Sequence, residues 1–233
     1  MKLSLIIPCY NESENIPLIF QRCSKLINNG VFEVILVDNG STDKSDKVIK
    51  SLLLKHSRIR SIRVPVNLGY GYGILQGLRV ANGDILSWTH ADLQTDPADI
   101  ITGLKFFNKY GTDIFVKGRR FGRPTKEIIF TIGMSFFETL LLRKPLWDIN
   151  AQPTMFSREF YESWKHPPHD FSLDLYAYYL AKIKYIKTYR FLVFFGPRAK
   201  GVSSWNVGVA ARLKFIFRTI KYSLELKNNL TSK

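Results

Sequence analysis

Apolar residues in the first half of the chain fall in short runs separated by longer stretches of mixed polarity. Residues 3–7, 34–37 and 85–88 are such runs, 59–64 gives another strand, and 114–116 opens the next. A short apolar run without alternation suits a strand covered on both faces. The stretches between carry helical spacing. One helix is expected to run to about residue 28, capped by Asn11 or Ser13 and stopped at Gly30. A second covers about 44–55, a third opens from the glycine-rich loop 67–73 and ends near Ala81, and Pro97 suits the first turn of a fourth. Strands alternating with helices predict βαβ units, hence an α/β fold with a mainly parallel sheet flanked by helices.

The second half is less regular. Residues 127–143 read as an amphipathic helix, 154–156 as a short strand, 171–182 as a helix, and 210–222 as a helix mixing apolar and basic positions. Ile128, Ile129, Ile132, Phe136 and Leu140 recur at helical spacing. Burial in the core and contact with a membrane surface both explain that stripe. Tyr176, Tyr178, Tyr179, Tyr185 and Tyr189 read as core and interface packing rather than a base-stacking platform. Without an internal repeat or low-complexity linker, one domain is expected over 1–205, with 206–233 as a basic helical extension of it.

Composition narrows the class. A chain of 233 residues with 45% hydrophobic and 23% charged residues is neither disordered nor a polytopic membrane protein. Its longest apolar stretch, 128–142, carries Glu138 and falls short of the roughly 20 residues a span needs. The run 3–7 is too short for a signal-peptide core. Two cysteines, Cys9 and Cys23, make no disulfide framework and fit a reducing, cytoplasmic setting. Charge changes the picture most: 34 Lys+Arg against 19 Asp+Glu leave +15, which calls for an anionic partner. Beyond Gly196 the basic residues Arg198, Lys200, Arg212, Lys214, Arg218, Lys221, Lys227 and Lys233 face Glu225 alone. No recognised nucleic-acid-binding motif accompanies them, so an anionic membrane or a phosphorylated ligand is preferred.

Polar clusters mark the candidate chemistry. Pro8-Cys9-Tyr10-Asn11-Glu12, Asp38-Asn39-Gly40-Ser41 and His90-Ala91-Asp92-Leu93-Gln94 each follow an expected strand. Any one of them is ordinary turn chemistry. Three at the carboxyl ends of parallel strands, where open sheets bind ligands, make a site the better reading. Gly69, Gly71, Gly73 and Gly77 invite a dinucleotide-binding reading, but position 76 is Gln and the loop follows the third strand. A helix entry that lets the backbone approach a ligand fits better. His56, His166 and His169 show no ligand spacing and are taken as surface residues.

In order, Ile7-Pro8-Cys9-Tyr10-Asn11-Glu12, Val37-Asp38-Asn39-Gly40-Ser41-Thr42-Asp43, Asn67-Leu68-Gly69-Tyr70-Gly71, Ala81-Asn82-Gly83-Asp84 and Ala91-Asp92-Leu93-Gln94 resemble family 2 inverting glycosyltransferases of the GT-A fold. Gly118-Arg119-Arg120 and Arg198-Ala199-Lys200-Gly201-Val202-Ser203 resemble the dolichol-phosphate mannose synthase and bacterial polyprenyl-phosphate branch of that family. The resemblance implies a nucleotide-diphosphate sugar bound by Pro8, Tyr10, Glu12, Gly69, Ala91 and Gln94, with Asp38 accepting from the base. It implies a divalent cation, Mg²⁺ or Mn²⁺, on Asp92. His90 stands where the family usually has a first aspartate, and two readings stand for it. As a softer ligand it favours Mn²⁺; otherwise it only packs or hydrogen-bonds. Arg120 matches an arginine suited to phosphate oxygens, and Asp148 an aspartate beside the acceptor. Arg123 is read as part of a solvated basic loop and Asp174 as an exposed helix residue.

The function expected is sugar transfer with inversion to a polyprenyl phosphate at the cytoplasmic face of an anionic membrane. Arg198, Lys200 and Ser203 would meet the acceptor phosphate. No general base is needed there, because a phosphate monoester with a second pKa of about 6 is already ionised. The alternative is a saccharide hydroxyl acceptor, for which Asp148 would be the base. A basic nucleic-acid-binding protein is the remote third reading.

Overall fold

The computed structural model describes residues 1–27, 30–54, 58–201 and 209–231, the side chains of 209–215 and 229–231 excepted. Strands β1 (Leu3–Cys9), β2 (Val31–Asn39), β3 (Ile59–Val64) and β4 (Ile85–Trp88) pair in parallel. β5 (Ile114–Phe121), β6 (Thr154–Ser157) and β7 (Lys187–Phe194) complete the sheet. Among the described residues the seven strands lie in the order β3-β2-β1-β4-β6-β5-β7. β6 runs antiparallel to both neighbours, and β7 pairs in parallel with β5 at the edge.

Successive residues of the central strands serve opposite cores. Ile6, Val37, Trp88, Phe115 and Phe156 pack beneath α3 (Tyr70–Val80) and α7 (Leu173–Ile183), while Leu5, Ile7, Leu36, Val116 and Met155 pack beneath α1 (Ile16–Ile27) and α4 (Asp99–Tyr110). Ile16, Ile19, Phe20, Cys23 and Leu26 form the buried stripe of α1 at the expected helical spacing. The short α2 (Ser45–Leu53) buries Ile49. Gly77 lets α3 settle onto the sheet, since a Cβ there would lie 2.5 Å from Ile6. Buried cores on both faces explain why β1, β2 and β4 read as apolar runs.

Several sequence expectations are corrected. Helix α1 starts at Ile16, not behind a cap at Asn11 or Ser13. Asn11 has φ of 55° and its Oδ1 accepts from the backbones of Thr42 and Asp43, while the Ser13 N–H bonds Asp43, so both join neighbouring loops instead. The approach that Gly69 and Gly71 permit is made by the chain itself, because a Cβ at either would collide with the backbone of residues 168–170. The Asn82-Gly83-Asp84 segment lies at the opposite end of the sheet. There the Asn82 N–H donates to Glu33, the Gly83 N–H to Ser4, and Asp84 accepts from the Lys2 N–H. Tyr176, Tyr178 and Tyr179 are buried as expected, but Tyr185 is exposed.

Helix α5 (Thr125–Leu142) buries Ser135, Glu138 and Leu142, and turns its apolar stripe outward. Ile129, Phe136 and Leu140 are each more than 60% exposed. Core burial is thus not the explanation of that stripe. Helix α8 (Val209–Thr231) packs against α5, where Ser223 Oγ donates to Glu138 Oε1 at 2.7 Å. Strand β7 and the single turn and a half of α6 (Arg158–Glu162) were not among the expected elements. No helix among the described residues is long and apolar enough to cross a membrane.

Candidate active site

Parallel strands β1, β2 and β4 deliver their following loops to one rim. Asp38, the penultimate residue of β2, is buried and its Oδ1 accepts from the Ser41 N–H at 3.0 Å. Its Oδ2 accepts no hydrogen bond among the described residues and faces Arg63 Nε at 3.5 Å. A buried carboxylate oxygen without a donor is a natural receptor for an N–H of a nucleobase. Beside it, Asn39 donates to the Gly69 carbonyl and ties β2 to the glycine loop. Pro8 is half-buried, Tyr10 is exposed on the same rim, and Ala91 is buried under it.

Glu12 follows β1 and Asp92 follows β4, and a single guanidinium joins them. Arg198 Nη2 lies 2.9 Å from Glu12 Oε1, and Nη1 lies 3.1 Å from Asp92 Oδ2. Burial, with Asp92 adding repulsion, pushes the Glu12 carboxyl up against the pull of Asn15 and Arg198. The segment carrying Arg198 is laced to the rim: Gly196 N–H to Gln94 O at 2.8 Å, Ala199 N–H to Asp92 O at 3.2 Å, and Gln94 Nε2 to Gly196 O at 3.1 Å. The structure therefore places Arg198 against Glu12 and Asp92, on the rim beyond β1 and β4. Lys200 is exposed, and Ser203 lies outside the described residues.

Two carboxylates close enough to share one guanidinium can share one hard cation. Among the described residues no three His, Cys, Asp or Glu side chains converge, so phosphate oxygens and water would have to fill the remaining positions. Magnesium-type sites are commonly built that way, and the pair fits. His90 stacks on Tyr70 with centroids 5.3 Å apart, and Tyr70 stacks in turn on Phe171 at 4.6 Å. That contact is the packing role among the two left open for His90.

The second half of the site surrounds Asp148, in the loop before β6. Asp148 is buried, with Arg120 bound through side chain and backbone, and Arg123 and Arg190 at 3.6 and 3.5 Å. Burial works to raise this carboxyl, but the charge and hydrogen bonds of Arg120 outweigh it and hold it below the ordinary range. Three arginines crowd the Asp148 carboxylate beside a cavity lined by Arg120, Thr131, Ser135, Asn150 and Phe171, with Glu138 also on its wall. Arg123 is thus no solvated loop residue: it is largely buried against Asp148 and donates to Thr131 at 2.7 Å. Its spacing of three residues from Arg120 was the available signal.

Asp174, expected to be exposed, is buried. Its Oδ1 accepts from Trp88 Nε1 and Gln152 Nε2, with the buried Lys117 Nζ 3.8 Å away. Lys117 also donates to Ala151 O and Thr154 Oγ1, and burial pushes its ammonium down to about 8. This cluster fixes the loop between Asp148 and β6 to helix α7.

The model of the family glycosyl transferase family 2 matches residues 4–164 of the chain. The dolichol-phosphate mannosyltransferase of Pyrococcus furiosus is 29% identical over 97% of this chain and 66% of its own length. An undecaprenyl-phosphate 4-deoxy-4-formamido-L-arabinose transferase of Photorhabdus laumondii is 38% identical over 42% of this chain and 31% of its own. The chain therefore spans less than two thirds of either relative. Glucosyl-3-phosphoglycerate synthase of Mycobacterium tuberculosis, solved with phosphoglyceric acid, superposes with a TM-score of 0.73 at 20% identity, over 97% of this chain and 80% of that one. The same enzyme with Mn²⁺, UDP and glucosyl-3-phosphoglycerate gives a TM-score of 0.69. The fold is the GT-A fold, and the chain belongs to glycosyl transferase family 2.

Proposed function

We propose that this protein transfers a sugar, with inversion, from a nucleotide-diphosphate sugar to a polyprenyl phosphate at a membrane surface. The observation that carries this reading is the crowding of Arg120, Arg123 and Arg190 around Asp148. A carboxylate so engaged, and held below its ordinary range, is a poor general base. A saccharide hydroxyl would need one. A phosphate monoester needs none and is drawn to the arginines. The names of the archaeal and bacterial relatives, both polyprenyl-phosphate sugar transferases, support the same acceptor.

In this reading Asp38 accepts from the base, and the loops after β1 and β4 hold the rest of the donor, with Pro8, Tyr10, Glu12, Gly69, Ala91 and Gln94 around it. Asp92, with Glu12 beside it, holds a divalent cation, which when bound neutralises charge on the departing diphosphate. Arg120 orients the acceptor phosphate in the cavity between β5 and α5, with the Ser135 hydroxyl as a further donor. The work of the residues is to bring two anions into line and balance their charge. The outward stripe of α5, flanked by Lys126, Arg143 and Lys144, provides the membrane contact. Free, buried Cys9 and Cys23 are in keeping with its cytoplasmic face.

The test is transfer of radiolabelled sugar from UDP- and GDP-linked donors into polyprenyl phosphate in anionic vesicles. Label in a lipid phosphodiester is the expected result. Label in saccharide with none in lipid would replace the acceptor.

A further inference from the structure

The two oxygens of Asp92 are not equivalent. Oδ1 accepts from the Gln94 N–H at 3.1 Å, whereas Oδ2 is held by Arg198. Glu12 is divided the same way: Oε2 takes the Asn15 amide and Oε1 takes Arg198. One guanidinium thus occupies, from each of two strand-end loops, the oxygen that the loop's own donors leave open. Arg198 Nε is buried without a partner, so the side chain is not fully satisfied where it sits. Its backbone neighbours are laced to the rim through Gln94, Asp92 and Asn15.

We propose that Arg198 is the resident stand-in for the divalent cation. With the donor absent it neutralises Asp92 and Glu12 and pins residues 196–200 across the rim. On loading with cation and nucleotide diphosphate it leaves both carboxylates and turns to the phosphates. This rests on the reading that Asp92 takes a cation. The exchange follows from the chemistry of the competitors. Two carboxylates attract a compact double charge more strongly than a flat, weakly hydrated single one. A freed guanidinium beside a diphosphate has two oxygens to grip in parallel.

Direct binding of MnCl₂, followed by electron paramagnetic resonance, tests the exchange on the whole chain without any turnover. Arg198→Ala should bind Mn²⁺ about tenfold more tightly than the parent, since two partly exposed ion pairs no longer compete. Lys200→Ala removes the same charge from the same segment without touching Glu12 or Asp92, and should change the affinity by less than about twofold. Asp92→Asn should abolish tight binding in both the parent and Arg198→Ala. In the parent, saturating Mn²⁺ with UDP or GDP should speed hydrogen exchange at the Ala199 amide, which is bonded to the Asp92 carbonyl. Equal affinity in Arg198→Ala and the parent, or an Ala199 amide indifferent to loading, would overturn the stand-in role while leaving the cation reading intact. No Mn²⁺ bound by any form, Arg198→Ala included, would overturn the cation reading itself.

Discussion

Arg120 holds Asp148 from two directions: its backbone N–H reaches Oδ2 at 3.0 Å and its Nε reaches Oδ1 at 2.8 Å. The aspartate is therefore the anion that keeps three half-buried arginines together. Asp148→Asn should destabilise the fold by about 3 kcal/mol, the scale for removing one partner of a buried charge pair. The carboxyl is held below its ordinary 3.8, so its contribution is present above that value and lost as pH falls through the lower folded one. Denaturant melts over a pH series check this: the gap between parent and variant should be wide at pH 7 and should shrink as pH is lowered below 3.8.

Glu138 gives the opposite sign. Burial between α5 and α8 pushes its carboxyl up from 4.5 to about 7, although Ser223 donates to it. The folded state then binds the proton more tightly than the unfolded chain, so stability falls as pH rises from 4.5 to about 7. Glu138→Gln removes that loss. Relative to the parent it should gain on the order of 2 kcal/mol at pH 8 and little at pH 4, measured by thermal melts across that range.

Asp38 should report on donor affinity alone. Asp38→Asn loses a buried acceptor but leaves the reacting groups in place, so KM for the nucleotide sugar should rise at least tenfold with kcat within about threefold. A collapsed kcat with unchanged KM would move Asp38 out of the base pocket.

The exposed stripe of α5 separates membrane contact from folding. Ile129→Asn with Phe136→Asn and Leu140→Asn removes three side chains that the fold leaves in solvent, so Tm should move little. Sedimentation with anionic vesicles should weaken markedly, and binding by the parent should itself decline as salt rises. Unchanged vesicle binding by the triple variant would show that this helix faces something other than lipid.

Strands β1, β2 and β4 and the loops that follow them were legible because local pattern determines them. A strand sandwiched between two helical layers must be apolar throughout, and the polar residues that follow it must lie on the rim. What escaped notice depends on distant partners. Asp174 sits at an ordinary helical position, and only Trp88, Gln152 and Lys117, brought from three other elements, make it a buried anchor. Arg198 meets Glu12 across 186 residues, a pairing no spacing rule encodes. Helix α5 had the right period, but period alone does not say whether its apolar stripe faces inward. Edge strand β7 carries its apolar run, Phe191–Phe194, behind the mixed stretch Lys187–Arg190, and most of its residues are half-buried or exposed, unlike those of the central strands.

The reversal of β6 decides what can meet at the rim. In a sheet of parallel strands only segments that leave a strand arrive at the carboxyl end; segments about to enter one wait at the far side. Because β6 points the other way, with Thr154 beside Trp88 and Ser157 beside Ile85, its incoming loop lies level with the outgoing loop of β4. Had the strand kept the common direction, its four residues at about 3.3 Å each would have carried Asp148 and Asn150 roughly 13 Å below the residues that face the donor. One inverted strand thus converts a one-substrate crevice into a meeting place for two, and fixes the separation of their anchors by hydrogen-bonded register rather than by loop length.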